Sequence, residues 1–201
     1  GEKPDGENMP QDTTTDESGT STKGIKAGGG MYLNGGTYQI DSADDSIHSN
    51  ANITIADGTY TLATGDDGVH ADDALIVNGG TITVTESYEG LEGLTVTIND
   101  GTIDITASDD GINTAGEKME LNGGYIHILA GGDGVDSNGD LTINGGEIYI
   151  DGPSDNGNSA IDYGDRSSAY VNGGTLVAIG SSGMAEVMSD SSKQKVLMVK
   201  L

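Results

Sequence analysis

The sequence predicts an all-β fold, a parallel β-helix or solenoid of about seven coils with about 22 residues per coil. Three observations predict it. A glycine turn recurs along the chain. Apolar residues fall into five columns when the recurrences are stacked on that turn. Within each strand the apolar positions are two apart, the period of a pleated strand with one buried face.

Residues 1–23 come first and read as a flexible, acidic, Ser/Thr-rich linker, with stretches such as Thr13-Thr14-Thr15-Asp16-Glu17-Ser18 and no apolar periodicity. The solenoid domain spans 24–201. Its turns are Asn34-Gly35-Gly36, Ala56-Asp57-Gly58, Asn78-Gly79-Gly80, Asn99-Asp100-Gly101, Asn122-Gly123-Gly124, Asn144-Gly145-Gly146 and Asn172-Gly173-Gly174, spaced by 22, 22, 21, 23, 22 and 28 residues. Asn-Gly and Asp-Gly supply the positive φ angles a tight turn needs.

Before the turns stand Met31/Leu33, Ile53/Ile55, Leu75/Val77, Val96/Ile98, Met119/Leu121, Leu141/Ile143 and Ala169/Val171. After them stand Tyr38/Ile40, Tyr60/Leu62, Ile82/Val84, Ile103/Ile105, Ile126/Ile128, Ile148/Ile150 and Leu176/Ala178. The fifth column is Ile25, Ile47, Val69, Leu91, Ile112, Val135 and Ile161. A sandwich of hairpins would not repeat one five-column pattern at a constant period. The segment 180–201 breaks the repeat and ends in the apolar run Val196-Leu197-Met198-Val199, expected to be a strand that caps the open end or begins a truncated element.

Composition narrows the function. The chain carries 33 acidic against 8 basic residues, a net charge of −25, with 34 glycines and no cysteine. Such a charge repels nucleic acid and anionic membrane surfaces, which need Lys and Arg to displace counterions. The lack of thiols excludes disulfides, zinc ribbons and cysteine catalysis. No stretch approaches the ~20 apolar residues of a membrane span, so membrane insertion is not expected. No signal peptide is visible, so the chain reads as mature or trimmed.

The acids are ordered. At equivalent places between repeats lie Asp44-Asp45, Asp66-Asp67, Tyr88-Glu89, Asp109-Asp110, Gly132-Asp133 and Asn158-Ser159. Parallel strands lie about 4.8 Å apart, and carboxylates at that distance repel by roughly 0.9 kcal/mol in water and about 3.5 kcal/mol at an effective dielectric of 20. Calcium holds oxygens at ~2.3–2.6 Å, so ligands across one ion lie about 4.6–5.2 Å apart, which matches the rung spacing. Oxygen-only donors favour Ca2+ over zinc or copper. The candidate ligands are Asp44, Asp45, Asp66, Asp67, Glu89, Asp109, Asp110 and Asp133. The alternative is a solvated acidic edge whose aspartates cap turns.

Just after the fifth column come Lys26, His48, His70, Glu92, Asn113, Asp136 and Asp162. Of these, His70, Glu92, Asn113 and Asp136 are candidate substrate contacts, together with Tyr125 and Tyr149, which are predicted outward and suited to stack on sugar rings. Tyr38 and Tyr60 fall on buried columns. His48 and His70, on successive rungs, are expected to form a hydrogen-bonded surface pair, with a metal pair as the alternative.

The run Asp66-Asp67-Gly68-Val69-His70-Ala71-Asp72-Asp73-Ala74-Leu75-Ile76-Val77-Asn78-Gly79-Gly80, its echo Asp109-Asp110-Gly111-Ile112-Asn113, and the ending Gly180-Ser181-Ser182-Gly183-Met184-Ala185 resemble a bacterial family of β-helical carbohydrate-binding domains found on clostridial and gut surface proteins. The resemblance covers about residues 24–190. It implies a right-handed parallel β-helix similar in shape to family 9 polysaccharide lyases, an extracellular or cell-surface location, and Ca2+-dependent binding of acidic or cellulosic plant polysaccharide through the paired aspartates. The pairs at 88–89, 132–133 and 158–159 depart from that pattern. Two other functions stay open: a pectate-lyase-like enzyme, for which Lys26 is the candidate base, and a calcium-stiffened stalk or adhesin. A −25 chain with few cations holds a polyanion best through bridging calcium, which favours the binder over the lyase.

Overall fold

The computed structural model describes residues 21–200, so most of the predicted linker lies outside the described residues. Each coil contributes three strand segments, and each segment pairs in parallel with its counterpart one coil away. The first face stacks Ile25–Ala27, Ile47–Ser49, 69–71, 91–93, 112–114, Val135–Ser137 and Ile161–Tyr163. The second stacks 31–33, 53–55, 75–77, 96–98, 119–121, Asp140–Ile143 and Ala169–Val171. The third stacks 37–42, 59–64, Thr81–Glu86, Thr102–Ala107, Tyr125–Ala130, Glu147–Asp151 and Thr175–Ile179. Seven rungs thus enclose about six full turns of about 22 residues, with no helix among the described residues.

The five predicted columns point inward, except that Ala178 at the last rung is exposed at the open end. Ile47, Val69, Leu91 and Ile112 are fully buried, and so are Ile55, Val77, Ile98 and Leu121. Burying each such side chain contributes about 1.5–3 kcal/mol before chain entropy is subtracted. At the first rung Ile25, Met31, Tyr38 and Ile40 are only half-buried, because they stand at the end of the stack. Tyr38 and Tyr60 stack with ring centroids 4.9 Å apart and planes 1° from parallel.

The turns carry more than backbone freedom. Gly80 has φ +91°, and a Cβ there would meet the Gly58 carbonyl oxygen at 2.8 Å, so both the angle and the space demand glycine. The asparagines before the glycines form a side-chain ladder, each Nδ2 donating to the Oδ1 of the preceding rung. The links are Asn99 to Asn78 (2.8 Å), Asn122 to Asn99 (2.9 Å), Asn144 to Asn122 (2.8 Å) and Asn172 to Asn144 (2.9 Å). The sequence signal for a turn is also a signal for this ladder.

One expected element is corrected. The run 196–199 is not a strand but irregular backbone across the last coil, where a cavity of about 620 Å³ separates Leu197 and Val199 from Ile161 and Leu176. Apolar content alone does not make a strand; a strand needs a neighbouring edge to bond, and this run forms no ladder. The preceding segment does close over the end: the Ser189 N–H donates to the Ala169 carbonyl at 2.8 Å and the Gln194 N–H to that of Val171 at 3.0 Å.

Candidate cation sites on the acidic edge

The acidic pairs occupy the corner where the third face turns into the first. Tight corners leave N–H groups without ladder partners, and the second residue of a pair supplies the acceptor for the rung above. Asp45 Oδ1 accepts the Asp67 N–H (3.2 Å), and Asp67 Oδ1 accepts that of Glu89 (3.3 Å). Asp110 Oδ1 accepts the Asp133 N–H (2.6 Å), and Asp133 Oδ1 that of Ser159 (2.5 Å). Capping is therefore one reason for the aspartates, as the solvated-edge alternative expects. It engages one oxygen per carboxylate and leaves the stacked charge to be balanced.

At the first rungs the chain supplies the balance itself. Lys23 Nζ lies 3.0 Å from Asp44 Oδ1 and 2.6 Å from Asp45 Oδ2, with all three side chains buried. Burial alone would raise the Asp45 carboxyl, but hydrogen bonds from His48 and Lys23 and the Lys23 charge override it and lower its pKa to about 2. The sequence pattern puts Lys23 at the end of the linker; a single lysine after a polar segment carries no sequence signal for this role.

His70 balances the next cluster. Its Nδ1 lies 3.0 Å from Asp67 Oδ2 and 2.9 Å from Glu92 Oε2. Burial opposes a charge on His70, but hydrogen bonds to both acids raise its pKa to about 11. Two acids share one imidazolium: Glu92 is held down by it against the effect of burial, while burial and the Glu92 charge push Asp67 up to about 8. His48 is not a surface residue but is 1% exposed, and its Nδ1 lies 2.8 Å from Asp45 Oδ2. The expected hydrogen-bonded histidine pair is thus replaced by two histidine–aspartate pairs, because the residue three positions before each histidine is an acid that faces it.

Further along, the cluster Asp110, Asp133 and Asp136 is made of oxygen donors only, each residue offering an atom within 4.8 Å of the others. Burial and the charges of Asp136 and Asp109 push Asp110 up to about 8. Burial and the Asp162 and Asp109 charges raise Asp133 to about 6, despite hydrogen bonds to Ser159. Glu89, on the neighbouring rung, is raised to about 9 by burial and by Glu92 and Asp67. Asn113 donates from Nδ2 to Glu89 Oε2 at 3.0 Å, while its buried Oδ1 has no hydrogen-bond partner. Asn113 is in register with Asp136 on the adjacent rung. Three converging carboxylates, with a buried orphan carbonyl oxygen on the residue in register with Asp136, fit a hard cation. The incomplete pair at 132–133 also has a reason, since a side chain at Gly132 would run into the carboxylates of Asp109 and Asp110.

Asp44, Asp45 and Asp66 form a further oxygen group, and burial raises Asp66. Asp109 flanks the oxygen-only cluster, and Tyr88, 46% exposed, has its hydroxyl raised by a hydrogen bond to Asp109. Tyr88 fills the place of a first aspartate and stands exposed beside Asp109, an aromatic position without a signal in the acidic column.

The remaining candidates divide between faces. His70, Glu92, Asn113 and Asp136 share one column on the first face. Tyr125 and Tyr149 lie on the third face, with ring centroids 5.8 Å apart. In register with Tyr149 is His127, whose Nδ1 is 3.0 Å from Asp104 Oδ1 and whose Nε2 is 3.6 Å from Asp151 Oδ2. The predicted substrate contacts are therefore two surfaces rather than one. Lys26 is exposed, in register with His48, and five rungs from Asp136, about 24 Å at 4.8 Å per rung.

A family model described as carbohydrate-binding domain-containing protein matches residues 3–68 and 66–194. No curated protein and no solved structure matches the chain.

Proposed function

The chain belongs to the family of carbohydrate-binding domain-containing proteins, and from that premise we propose that it binds plant cell-wall polysaccharide outside the cell, with Ca2+ as the bridge to acidic glycans. The observation that carries this reading is the oxygen-only cluster Asp110, Asp133 and Asp136, with an orphan buried Oδ1 on Asn113, the residue in register with Asp136. Donors of this kind select a hard dication. A bound calcium turns a patch that repels uronates into one that coordinates them. Tyr88, exposed at the same edge, offers a face for a sugar ring. Neutral cellulosic chains need no ion, and for them the paired rings of Tyr125 and Tyr149 supply the platform.

The lyase reading requires a base beside the calcium-bound uronate. Lys26, about 24 Å from Asp136 by rung count, is too far to serve that centre. Binding is the better-supported activity.

Retention on immobilised polygalacturonate, with calcium and then with chelator, tests the proposal. Chelator-sensitive retention is expected. Asp110→Asn keeps the acceptor for the Asp133 N–H and removes the charge, so it is expected to weaken calcium binding by about tenfold or more and to lose retention in parallel. Unsaturated, ultraviolet-absorbing products would establish the lyase instead. Calcium-dependent thermal stability without retention on any glycan would leave the stalk.

A further inference from the structure

Asp72 follows the first-face segment of its coil and is 42% exposed at the side chain. Its Oδ1 stands 3.6 Å from His48 Nε2 and 3.6 Å from His70 Nε2. Its Oδ2 accepts a hydrogen bond from Asn50 Nδ2 at 3.1 Å. His48 is buried, and its Nε2 is without a hydrogen-bond partner. A buried polar nitrogen left unpaired costs about 1–3 kcal/mol, so a fold that retains one aimed at a carboxylate points to something between them.

We propose that His48 Nε2, His70 Nε2 and Asp72 Oδ1 form a binding site for a divalent first-row transition ion of the Zn2+ type. Imidazole nitrogen suits zinc, cobalt and nickel and is a poor donor for calcium. A tetrahedral ion with bonds of about 2.0–2.1 Å keeps its ligands roughly 3.3–3.4 Å apart, close to both nitrogen–oxygen separations here. Each ligand already has the outer support such sites use. A carboxylate holds the far nitrogen of each imidazole, Asp45 for His48 and Asp67 with Glu92 for His70, so that Nε2 is directed outward. Asn50 orients Asp72 in the same way. The three acids behind the two imidazoles balance either a proton or a dication, so the ion binds by displacing the His70 Nε2 proton to solvent and taking over its charge. The exposed side of Asp72 leaves the fourth position to water.

The site rests on neither the calcium centre nor the glycan. Its test is Co2+ titration of the full chain in excess calcium, which masks the oxygen-only clusters. One equivalent of Co2+ is expected to give the intense visible absorption of a tetrahedral ion, and Zn2+ to bleach it. Asp72→Ala, at an exposed position, is expected to weaken Zn2+ binding by more than about tenfold without unfolding the chain, and Asn50→Ala by about tenfold. His48→Asn retains an amide toward Asp45 but removes Nε2, and is expected to abolish the signal. Only the weak absorption of octahedral Co2+, or full affinity in Asp72→Ala, would overturn the site.

Discussion

The two halves of the acidic edge solve one electrostatic problem in different ways. Both are built from acid–glycine corners in which a carboxylate caps the next rung's N–H. In the first half the counter-charge is covalent: Lys23 sits between Asp44 and Asp45, and His70 between Asp67 and Glu92. In the second half, Asp110, Asp133 and Asp136 converge as oxygens alone, and the carboxyls of Asp110 and Asp133 are pushed toward protonation. The difference teaches that a repeated acidic motif is not a repeated metal site. What decides is the single side chain that reaches into each rung.

Removing the built-in cation should break the contrast most strongly. Lys23→Ala removes the lysine charge between the buried Asp44 and Asp45, leaving His48 on Asp45, and should lower stability by about 3 kcal/mol in chelator. Added calcium should restore part of it, because the first half then resembles the second. Chemical denaturation with and without calcium measures both values; equal stability to the parent in chelator would mean that Lys23 is not the balancing charge.

The pH dependence of the metal-free chain should next separate the lysine-balanced rung from the other acidic rungs. Asp110, Asp67 and Glu89 have folded pKa values of about 8, about 8 and about 9, above their unfolded values. The folded state therefore binds more protons, and that contribution, complete below about pH 4, is lost as pH rises toward 8–9. Asp45, lowered to about 2, acts oppositely: its contribution holds above about pH 4 and is lost as pH falls through 2. Thermal melts in chelator should fall from mildly acidic to mildly alkaline pH, and calcium should flatten that slope through Asp110.

Asn122→Ala provides the smallest effect and a reference. It removes two ladder hydrogen bonds, to Asn99 and from Asn144, at an exposed site that touches neither half's charge balance. A loss of about 1–2 kcal/mol, independent of calcium and pH, is expected from the same denaturation experiment.

Much of the fold is legible because its information is local and periodic. The spacing of two within strands and about 22 between coils places each inward side chain, and the observed register pairs the residues that the columns align, such as Ile47 with Val69 and Val69 with Leu91. The run at 196–199 misleads because strand formation depends on a partner edge that composition does not report. The acidic corners are legible as a stacked column, but the partition of their roles is not. Asp45 and Asp110 look equivalent in sequence, yet one faces Lys23 and the other faces Asp136.

By itself the sequence determined the solenoid, the inward columns and the position of the acids, because repetition at strand spacing forces equivalent residues into line. The tertiary structure decided which acids meet a lysine, which meet a histidine and which converge with other acids. It also turned the two histidines toward Asp72 and separated the tyrosines from the first-face column. Those outcomes depend on side-chain contacts at each corner, from three positions apart for Asp45 and His48 to 21 for Lys23 and Asp44, where a few ångströms determine whether a charge is balanced by the chain or by an ion.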